Sequence, residues 1–381
     1  MKVGFYSCMT GMPWGGSEVL WQRAARILQN EQHEVAVNFK WWPNMAFQLQ
    51  QIEKHGGTIW LRDQHKSPKE LRREKWRKFF LQNPEPKSWL RTERPDVVLI
   101  TLGYHPDPLH IADECLELGI PYGINLQCAS DFFFIHSDRM EEYRRWYQNA
   151  QRVFFVSAEN QEKLEKNIAW PLQNSEIVAN PFNVSYEANP AWPGTDDGFR
   201  LAVVGRIHFQ SKGQDIIVDV LKQPKWRERN LKVRFYGHDQ GNSRQLMEMI
   251  RLNQLEDQLT FEGFSKNVEE IWADNHALLL PSRYEGAPLA FIEAMLCQRI
   301  AITTDIGRNR ELMTDNESGF LAAAAKAELI DDALERAWQQ RHRWEELGQL
   351  AGKQIRERYP QDPIREYADK ILALKPESRP G

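Results

Sequence analysis

The sequence predicts an α/β protein built from two doubly wound, Rossmann-like sheets facing an interdomain cleft, and three observations predict it. Short apolar runs alternate with helix-like segments. That rhythm breaks once near the middle of the chain and then restarts. The 381 residues also exceed the usual size of one compact domain.

The first series of strand candidates is Lys2 to Tyr6, Glu34 to Phe39, Asp96 to Thr101, Tyr122 to Leu126 and Arg152 to Ser157. Helix-like segments separate them, as a parallel sheet requires, because parallel neighbours need long crossover connections. The second series is Arg200 to Gly205, Lys232 to Tyr236, Leu259 to Glu262, Ala277 to Pro281 and Ile300 to Thr303. Between the two series, the stretch from Asn183 to Gly198 is rich in Pro, Gly, Asn and Asp and lacks periodicity. The expected organisation is therefore a first domain over 1–183, a linker over 184–198 and a second domain over 199–355. The remaining 356–381 carries a helix, within Glu357 to Leu374, that is a candidate to return to the first domain. Open sheets of this kind bind ligands at the carboxyl ends of their strands, which here would face a shared crevice.

The net charge of −4 gives no global attraction for nucleic acid, so any phosphate binding has to be local. Cys8, Cys115, Cys128 and Cys297 lie far apart without metal-ligand spacing, which fits a reducing compartment and no structural zinc. The chain opens on a strand-like run, and no apolar stretch reaches membrane-spanning length. These features lead to the expectation of a cytoplasmic protein. One segment differs in character. From Lys66 to Arg91 the chain is basic and aromatic, with Lys69, Arg72, Arg73, Lys75, Arg77 and Lys78 around Trp76, Phe79, Phe80 and Trp89. It reads either as a solvated amphipathic helix or as an acceptor-facing patch making peripheral membrane contact through anionic head groups.

Three motifs carry chemistry. After the first strand, Trp14-Gly15-Gly16-Ser17-Glu18 leads into an amphipathic helix. Glycines at such a turn let backbone N–H groups approach an anion, so Gly15 and Gly16 are candidate phosphate or acceptor contacts. The other reading is that Ser17 simply caps the helix. In the second series, Val204-Gly205-Arg206-Ile207-His208 runs on to Lys212-Gly213-Gln214-Asp215, placing two cations just after a strand. Arg offers a planar fork and Lys a compact charge, a pair suited to a diphosphate. Finally, Pro281-Ser282-Arg283-Tyr284-Glu285-Gly286-Ala287-Pro288-Leu289 leaves a strand and enters a helix near Pro288, which suits a first helical position. The amides of Leu289 and Ala290 would then point out of the helix N-terminus. Glu293, about two turns beyond Glu285, could accept hydrogen bonds from paired ribose hydroxyls.

Taken in order, G-R-x-H-x-x-x-K-G-x-D and P-S-x-x-E-G-x-P-L-x-x-x-E-A-M resemble the donor-binding half of family 4 glycosyltransferases, over most of the C-terminal half of the chain. The N-terminal half is similar only through its Gly-Gly turn and strand order. The resemblance implies a GT-B fold, a nucleotide-sugar donor and retention of anomeric configuration. The Glu-x7-Glu pattern would be Glu285 and Glu293. The resemblance assigns the diphosphate to Arg206 and Lys212, the ribose to Glu293, and the donor sugar to Glu285 beside Gly286, with these first two cations and Glu285 as the catalytic set. Gly16 would approach the diphosphate or the acceptor from the first domain. It implies no cofactor and no strict need for a metal, because Arg, Lys and the helix N-terminus supply the positive field. The expected partners are a nucleotide-sugar donor and a glycan, lipid-linked or small-molecule acceptor.

Two positions depart from the family's pattern. Where many relatives carry a His after a central strand, this chain has Gln127, which can hydrogen-bond a sugar hydroxyl but cannot titrate. His105, after the preceding strand, is either its substitute or a turn histidine. Arg308, in Asp305-Ile306-Gly307-Arg308, replaces a glycine, so that it engages an anionic ligand or faces water, with Glu311 as a supporting residue. Two other functions stay open at this point: a nucleotide-sugar-binding protein without transfer activity, motivated by Gln127, and another GT-B enzyme such as an epimerase or phosphorylase.

Overall fold

A computed structural model of the chain describes residues 1–44, 46–63, 84–107 and 109–374. The chain divides into two compact units, 1–181 with 362–381, and 182–361.

The first unit is a parallel sheet ordered β3-β2-β1-β4-β5-β6-β7. Its strands are β1 (Lys2–Ser7), β2 (Glu34–Lys40), β3 (Thr58–Arg62), β4 (Val97–Leu102), β5 (Tyr122–Leu126), β6 (Val153–Phe155) and β7 (Ser175–Ile177). In β1, Phe5 pairs with Val37 on one side and Leu99 on the other. β4 and β5 are buried throughout, as strands covered on both faces must be. One face packs through Val98, Ile100, Leu126 and Phe155 onto Tyr143, Trp146 and Tyr147 of the helix Met140–Gln148.

The second unit is a parallel sheet ordered β10-β9-β8-β11-β12-β13. Its strands are β8 (Phe199–Val204), β9 (Leu231–Tyr236), β10 (Leu259–Gly263), β11 (Ala277–Leu280), β12 (Ile300–Thr304) and β13 (Gly319–Ala322). Leu201, Val203, Val233, Phe235, Leu279 and Ile302 join Trp226, Trp338 and Trp344 in its core. The ten strands expected from sequence are all present, and three further ones, β3, β7 and β13, lie at sheet edges. Each is short, and the first two are mostly half-buried, so neither length nor alternation marks them out.

The boundary needs correction. Residues 184–198 are not a free linker but a strap on the second unit. The Tyr186 hydroxyl donates to the carbonyls of Arg356 (2.8 Å) and Tyr359 (3.1 Å), and the Arg356 guanidinium donates back to Tyr186 and Ala188. Arg299, fully buried, donates to the carbonyls of Pro190 and Ala191 and lies 4.9 Å from the Trp192 ring. A segment without periodicity is thus ordered by two guanidinium groups, one buried and one half-buried, that satisfy its carbonyls. The second unit also keeps 356–361, so the chain rejoins the first unit only at Asp362. Asp362 caps the helix Pro363–Leu372, which packs along Val19–Asn30 and sets Tyr367 edge-on to Phe154 at 5.4 Å.

Among the described residues no helix is long and apolar enough to cross a membrane. All four cysteines are free thiols, three of them buried. Most of the basic-aromatic segment Lys66 to Arg91 lies outside the described residues. Within its described end, Trp89 is fully buried beside Tyr6, and so belongs to the core rather than to a surface patch.

Candidate functional site

The carboxyl edge of the second sheet gathers the charged motifs. β8 ends at Val204 and leaves Arg206 exposed. The short helix Phe209–Lys212 then stops at Gly213, whose φ of +67° is left-handed and whose Cβ, if present, would fall 2.1 Å from the Pro281 carbonyl oxygen. Only glycine lets these two loops touch. The contact brings Lys212 to the loop after β11, where its ammonium forms an ion pair with Glu285 Oε1. The Ser282 hydroxyl donates to the same oxygen at 2.9 Å.

Arg283, which sequence reasoning passed over, fastens the two loops together. Its guanidinium grips Asp215 with both ends, at 2.8 and 2.7 Å, and also donates to the Phe209 carbonyl, while its amide donates to Ser211 O at 2.8 Å. The carboxylate holds the Arg283 pKa above its ordinary value. His208 meets the Ser211 hydroxyl at 2.8 Å. Burial, then the Arg206 and Lys212 charges, push its pKa down, which favours the neutral ring.

The helix Leu289–Leu296 begins one residue later than expected: Pro288 is its N-cap, with ψ of 122°, rather than its first helical residue. Leu289 and Ala290 therefore hold the first two amides, which have no acceptor within the helix. Glu293 is 3% exposed, and its Oε1 accepts from the Asn183 backbone amide at 3.0 Å and the Asn183 side chain at 2.8 Å. Asn183 had no signal in the sequence, since 110 positions separate the pair. Gly307, with φ of +59°, sits on the Glu285–Gly286 backbone: a Cβ there would lie 2.2 Å from the Gly286 carbonyl oxygen. Arg308 is half-buried. Its side chain is largely buried, donates to Glu311 at 3.2 Å and lies 5.2 Å from the Tyr359 ring.

In the first unit, the turn after β1 holds Gly15 in extended conformation and Gly16–Glu18 in a single 3-10 turn. A Cβ on Gly16 would meet nothing within 4 Å, so this turn presents its backbone to open space. Ser17 makes no capping bond to the helix; its hydroxyl turns to the Glu18 carboxyl at 3.3 Å. Two possible sugar contacts lie buried. His105 is a core residue, 1% exposed, edge-on to Tyr143 at 5.5 Å and 3.3 Å from the Tyr147 hydroxyl. Burial lowers its pKa to about 4, so it is neutral at physiological pH and cannot stand in for a solvent-facing histidine. Gln127 is 6% exposed, and its amide donates to Asn125 at 3.0 Å, because the two share one face of the strand end.

Among the described residues, His110, Asp113 and Glu142 are close enough to share a cation, but Arg145 holds Asp113 and Arg139 holds Glu142, and none belongs to the motifs above. The charged edge of the second sheet is thus the built site.

Residues 198–340 match the family described as "Glycosyl transferases group 1". Curated relatives align with part of the chain. The poly(ribitol-phosphate) alpha-N-acetylglucosaminyltransferase of Staphylococcus aureus is 25% identical over 122 residues, 31% of this chain and 24% of that protein. The lipopolysaccharide core biosynthesis mannosyltransferase LpsB of Rhizobium meliloti is 29% identical over 136 residues, 34% of this chain and 38% of that one. The matched stretches thus span well under half the length of these relatives. Solved structures align with almost the whole chain at low identity. Anabaena Alr3699/HepE, determined with UDP, superposes with a TM-score of 0.75 at 16% identity, covering 98% of this chain and all of that one. Sucrose-phosphate synthase from Thermosynechococcus elongatus gives 0.74 at 17% identity, covering 98% of each. The fold is that of GT-B glycosyltransferases, two Rossmann-like parallel sheets with their helices.

Proposed function

We propose that this chain is a retaining, family 4 type glycosyltransferase that moves a sugar from a nucleotide-diphosphate sugar to a hydroxyl acceptor. The observation that carries the reading is the charged edge of the second sheet. Lys212 and Glu285 are paired there, Arg283 and Asp215 lock the loops that bear them, and two helix amides open beside them. Arg206 and Lys212 hold the diphosphate. As the bond from the anomeric carbon to the diphosphate oxygen breaks, the electron pair passes to that oxygen, and the two cations with the amides of Leu289 and Ala290 stabilise it. Diphosphate binding draws Lys212 from Glu285 and frees this carboxylate, beside Gly286, to accept hydrogen bonds from the donor sugar. Glu293, kept oriented by Asn183, accepts from the ribose hydroxyls. The acceptor hydroxyl attacks the oxocarbenium-like centre from the face the diphosphate leaves, and its proton passes to the departing phosphate. No pair of flanking carboxylates is required on this route. The two cations supply the charge a metal would otherwise bring, so chelators leave the rate unchanged.

A UDP-sugar is the favoured donor and a glycan the favoured acceptor class. Alr3699/HepE was determined with UDP and glucose, and the structure of Staphylococcus aureus TarM holds UDP with alpha-GlcNAc-glycerol. The deciding experiment is a thermal-shift and nucleotide-release panel with UDP-, GDP- and ADP-sugars. Selective stabilisation with nucleotide release supports transfer and names the donor. Stabilisation without release, even with glycan acceptors, favours a nucleotide-sugar-binding protein, a reading motivated by Gln127 and the burial of His105. No response to any nucleotide overturns both.

A further inference from the structure

At the amino end of β12, away from the Lys212–Glu285 loops, lies a cavity that the proposed transfer chemistry does not use. Its volume is about 310 Å³, within the range of small-molecule sites. Three segments of the second unit wall it: the strap through Asn189 and Trp192, the turn Gln298–Arg299 that enters β12, and the helix Trp344–Arg358 through Glu345 and Gln349. Gly307, packed on the Glu285–Gly286 backbone, follows β12 at its other end. The five residues of the strand, roughly 15 Å, therefore separate this cavity from the charged edge.

The walls are fixed from behind. Arg299 is buried, and its guanidinium commits all five N–H groups to carbonyls. Nε is shared between Trp272 and Asn275, Nη1 donates to Cys297 and Gln298, and Nη2 donates to the strap at Pro190 and Ala191. The Trp192 indole lies over this guanidinium at 4.9 Å and edge-on to His276 at 5.3 Å. Gly348 and Gly352 bring the helix against the turn, since a Cβ on Gly348 would fall 2.2 Å from the Gln298 carbonyl oxygen. Gln298 itself is held at φ of +58°, just past the end of the helix Leu289–Leu296, in a left-handed position that glycine fills without strain. A side chain kept there at a cost to the backbone points to a use for that side chain.

The groups lining the cavity are neutral or negative. Among the described residues, the side chains of Asn189, Gln298, Glu345 and Gln349 have no hydrogen-bond or ion-pair partner. Three amides and a carboxylate thus meet beside an indole, with Glu345 and Gln349 one turn apart on one helix face. Each amide both donates and accepts, as each hydroxyl of a sugar does, and an aromatic ring suits the apolar C–H face of a pyranose. An anion is disfavoured, because the Arg299 donors are all taken and Glu345 repels negative charge. An apolar ligand would strip water from four polar side chains and return nothing to them.

We propose that this cavity is a second saccharide site, which holds a neutral oligosaccharide apart from the transfer edge. None of its residues belongs to the proposed transfer machinery. Where the acceptor is a glycan chain, a second hold on that chain raises the local concentration of its reacting end, and so lowers KM for long acceptors without changing kcat.

Binding is tested on the full chain in the absence of nucleotide. Maltotriose, cellotriose and chitotriose are titrated separately while the Trp192 indole N–H resonance, assigned through W192F, is followed. At least one should shift it saturably, with a dissociation constant at or below about 1 mM, and inorganic phosphate should leave it in place. Q349A and Q298G should each weaken that binding about fivefold, the usual effect of one lost hydrogen bond. Q298G also relieves the left-handed strain, so it should melt no lower than wild type, and its loss of affinity then cannot come from unfolding. No shift with any of the three sugars, a shift by phosphate as large as that by sugar, or unchanged affinity in both variants overturns the proposal. With a long glycan acceptor, Q349A should raise KM and leave kcat as in wild type. If no transfer or nucleotide release is found, the transferase reading fails, and the sugar titration still decides the cavity.

Discussion

The ammonium of Lys212 and the carboxylate of Glu285 form an ion pair across two loops that lie 73 positions apart in sequence. Each side chain is 15% exposed, so the charges sit in a partly dried site where a partner is worth more than on an open surface. If Lys212 holds the diphosphate as proposed, a phosphate oxygen competes with Glu285 for its ammonium. K212A should lower kcat by roughly 100-fold to 1,000-fold, the usual cost of a lost transition-state donor. E285Q should bind free nucleoside diphosphate more tightly while turning over more slowly. Calorimetry alongside steady-state kinetics separates the two effects, and equal affinities in E285Q and wild type would remove Glu285 from this role.

Arg283 and Asp215 test whether loop registration matters apart from charge. R283K keeps the charge but loses the two-ended grip, because an ammonium cannot match both carboxylate oxygens. The expected result is a fall in kcat of about tenfold with only a small change in melting temperature, since each partner is about a quarter exposed. A large melting shift with normal kcat in the surviving protein would make the pair purely structural.

Gly213 and Gly307 are required by geometry rather than by chemistry. G213A places a methyl group against the Pro281 carbonyl and forces alanine into left-handed backbone, as G307A does against Gly286. Backbone strain alone should cost about 1–3 kcal/mol in each. Chemical denaturation measures the loss, and full stability in both variants would mean the loops separate freely.

Glu293 and Asn183 couple the start of the strap to the helix bearing the first amides. E293A removes the acceptor of the exposed Asn183, whose groups can turn to water, and should cost about 0.5–1.5 kcal/mol of stability per hydrogen bond lost. E293Q is the more informative variant: it should weaken binding of a ribonucleotide, and 2′,3′-dideoxyribose in the nucleotide should weaken wild-type binding but add little in E293Q. Additive losses would place the ribose elsewhere.

His105 should shape acid stability and not catalysis. Its folded pKa of about 4 lies below the ordinary value, so the unfolded chain takes up the proton first as the pH falls. The neutral ring's contribution is complete above about pH 6.5 and is lost progressively as the pH falls toward 4. Unfolding midpoints for H105F should therefore depend less on pH across that window than wild type. Any pH dependence of turnover confined to neutral pH should persist in H105F.

The sequence by itself determined the elements that repeat or carry a local signature. Ten strands were legible as short runs rich in apolar residues; nine lie inside the sheets, where a parallel strand covered on both faces has to be largely apolar, and the tenth, β10, is a mostly exposed edge strand. The motifs around Lys212 and Glu285 were legible for a similar reason: glycine, cation and carboxylate at fixed spacing follow from a strand ending in a tight turn. What only the tertiary structure decided depends on partners distant in sequence. The edge strands β3, β7 and β13 are placed by their neighbours, and the strap 184–198 is ordered by Arg299 and Arg356. Glu293 is fixed by Asn183, and Arg283 by Asp215. His105 and Gln127 look alike in sequence, as polar residues just after strand ends, whereas Glu18 follows a glycine turn and leads into a helix. Their different roles arise from burial, because whether a side chain keeps its charge or its hydrogen-bonding capacity depends on the groups that replace water around it.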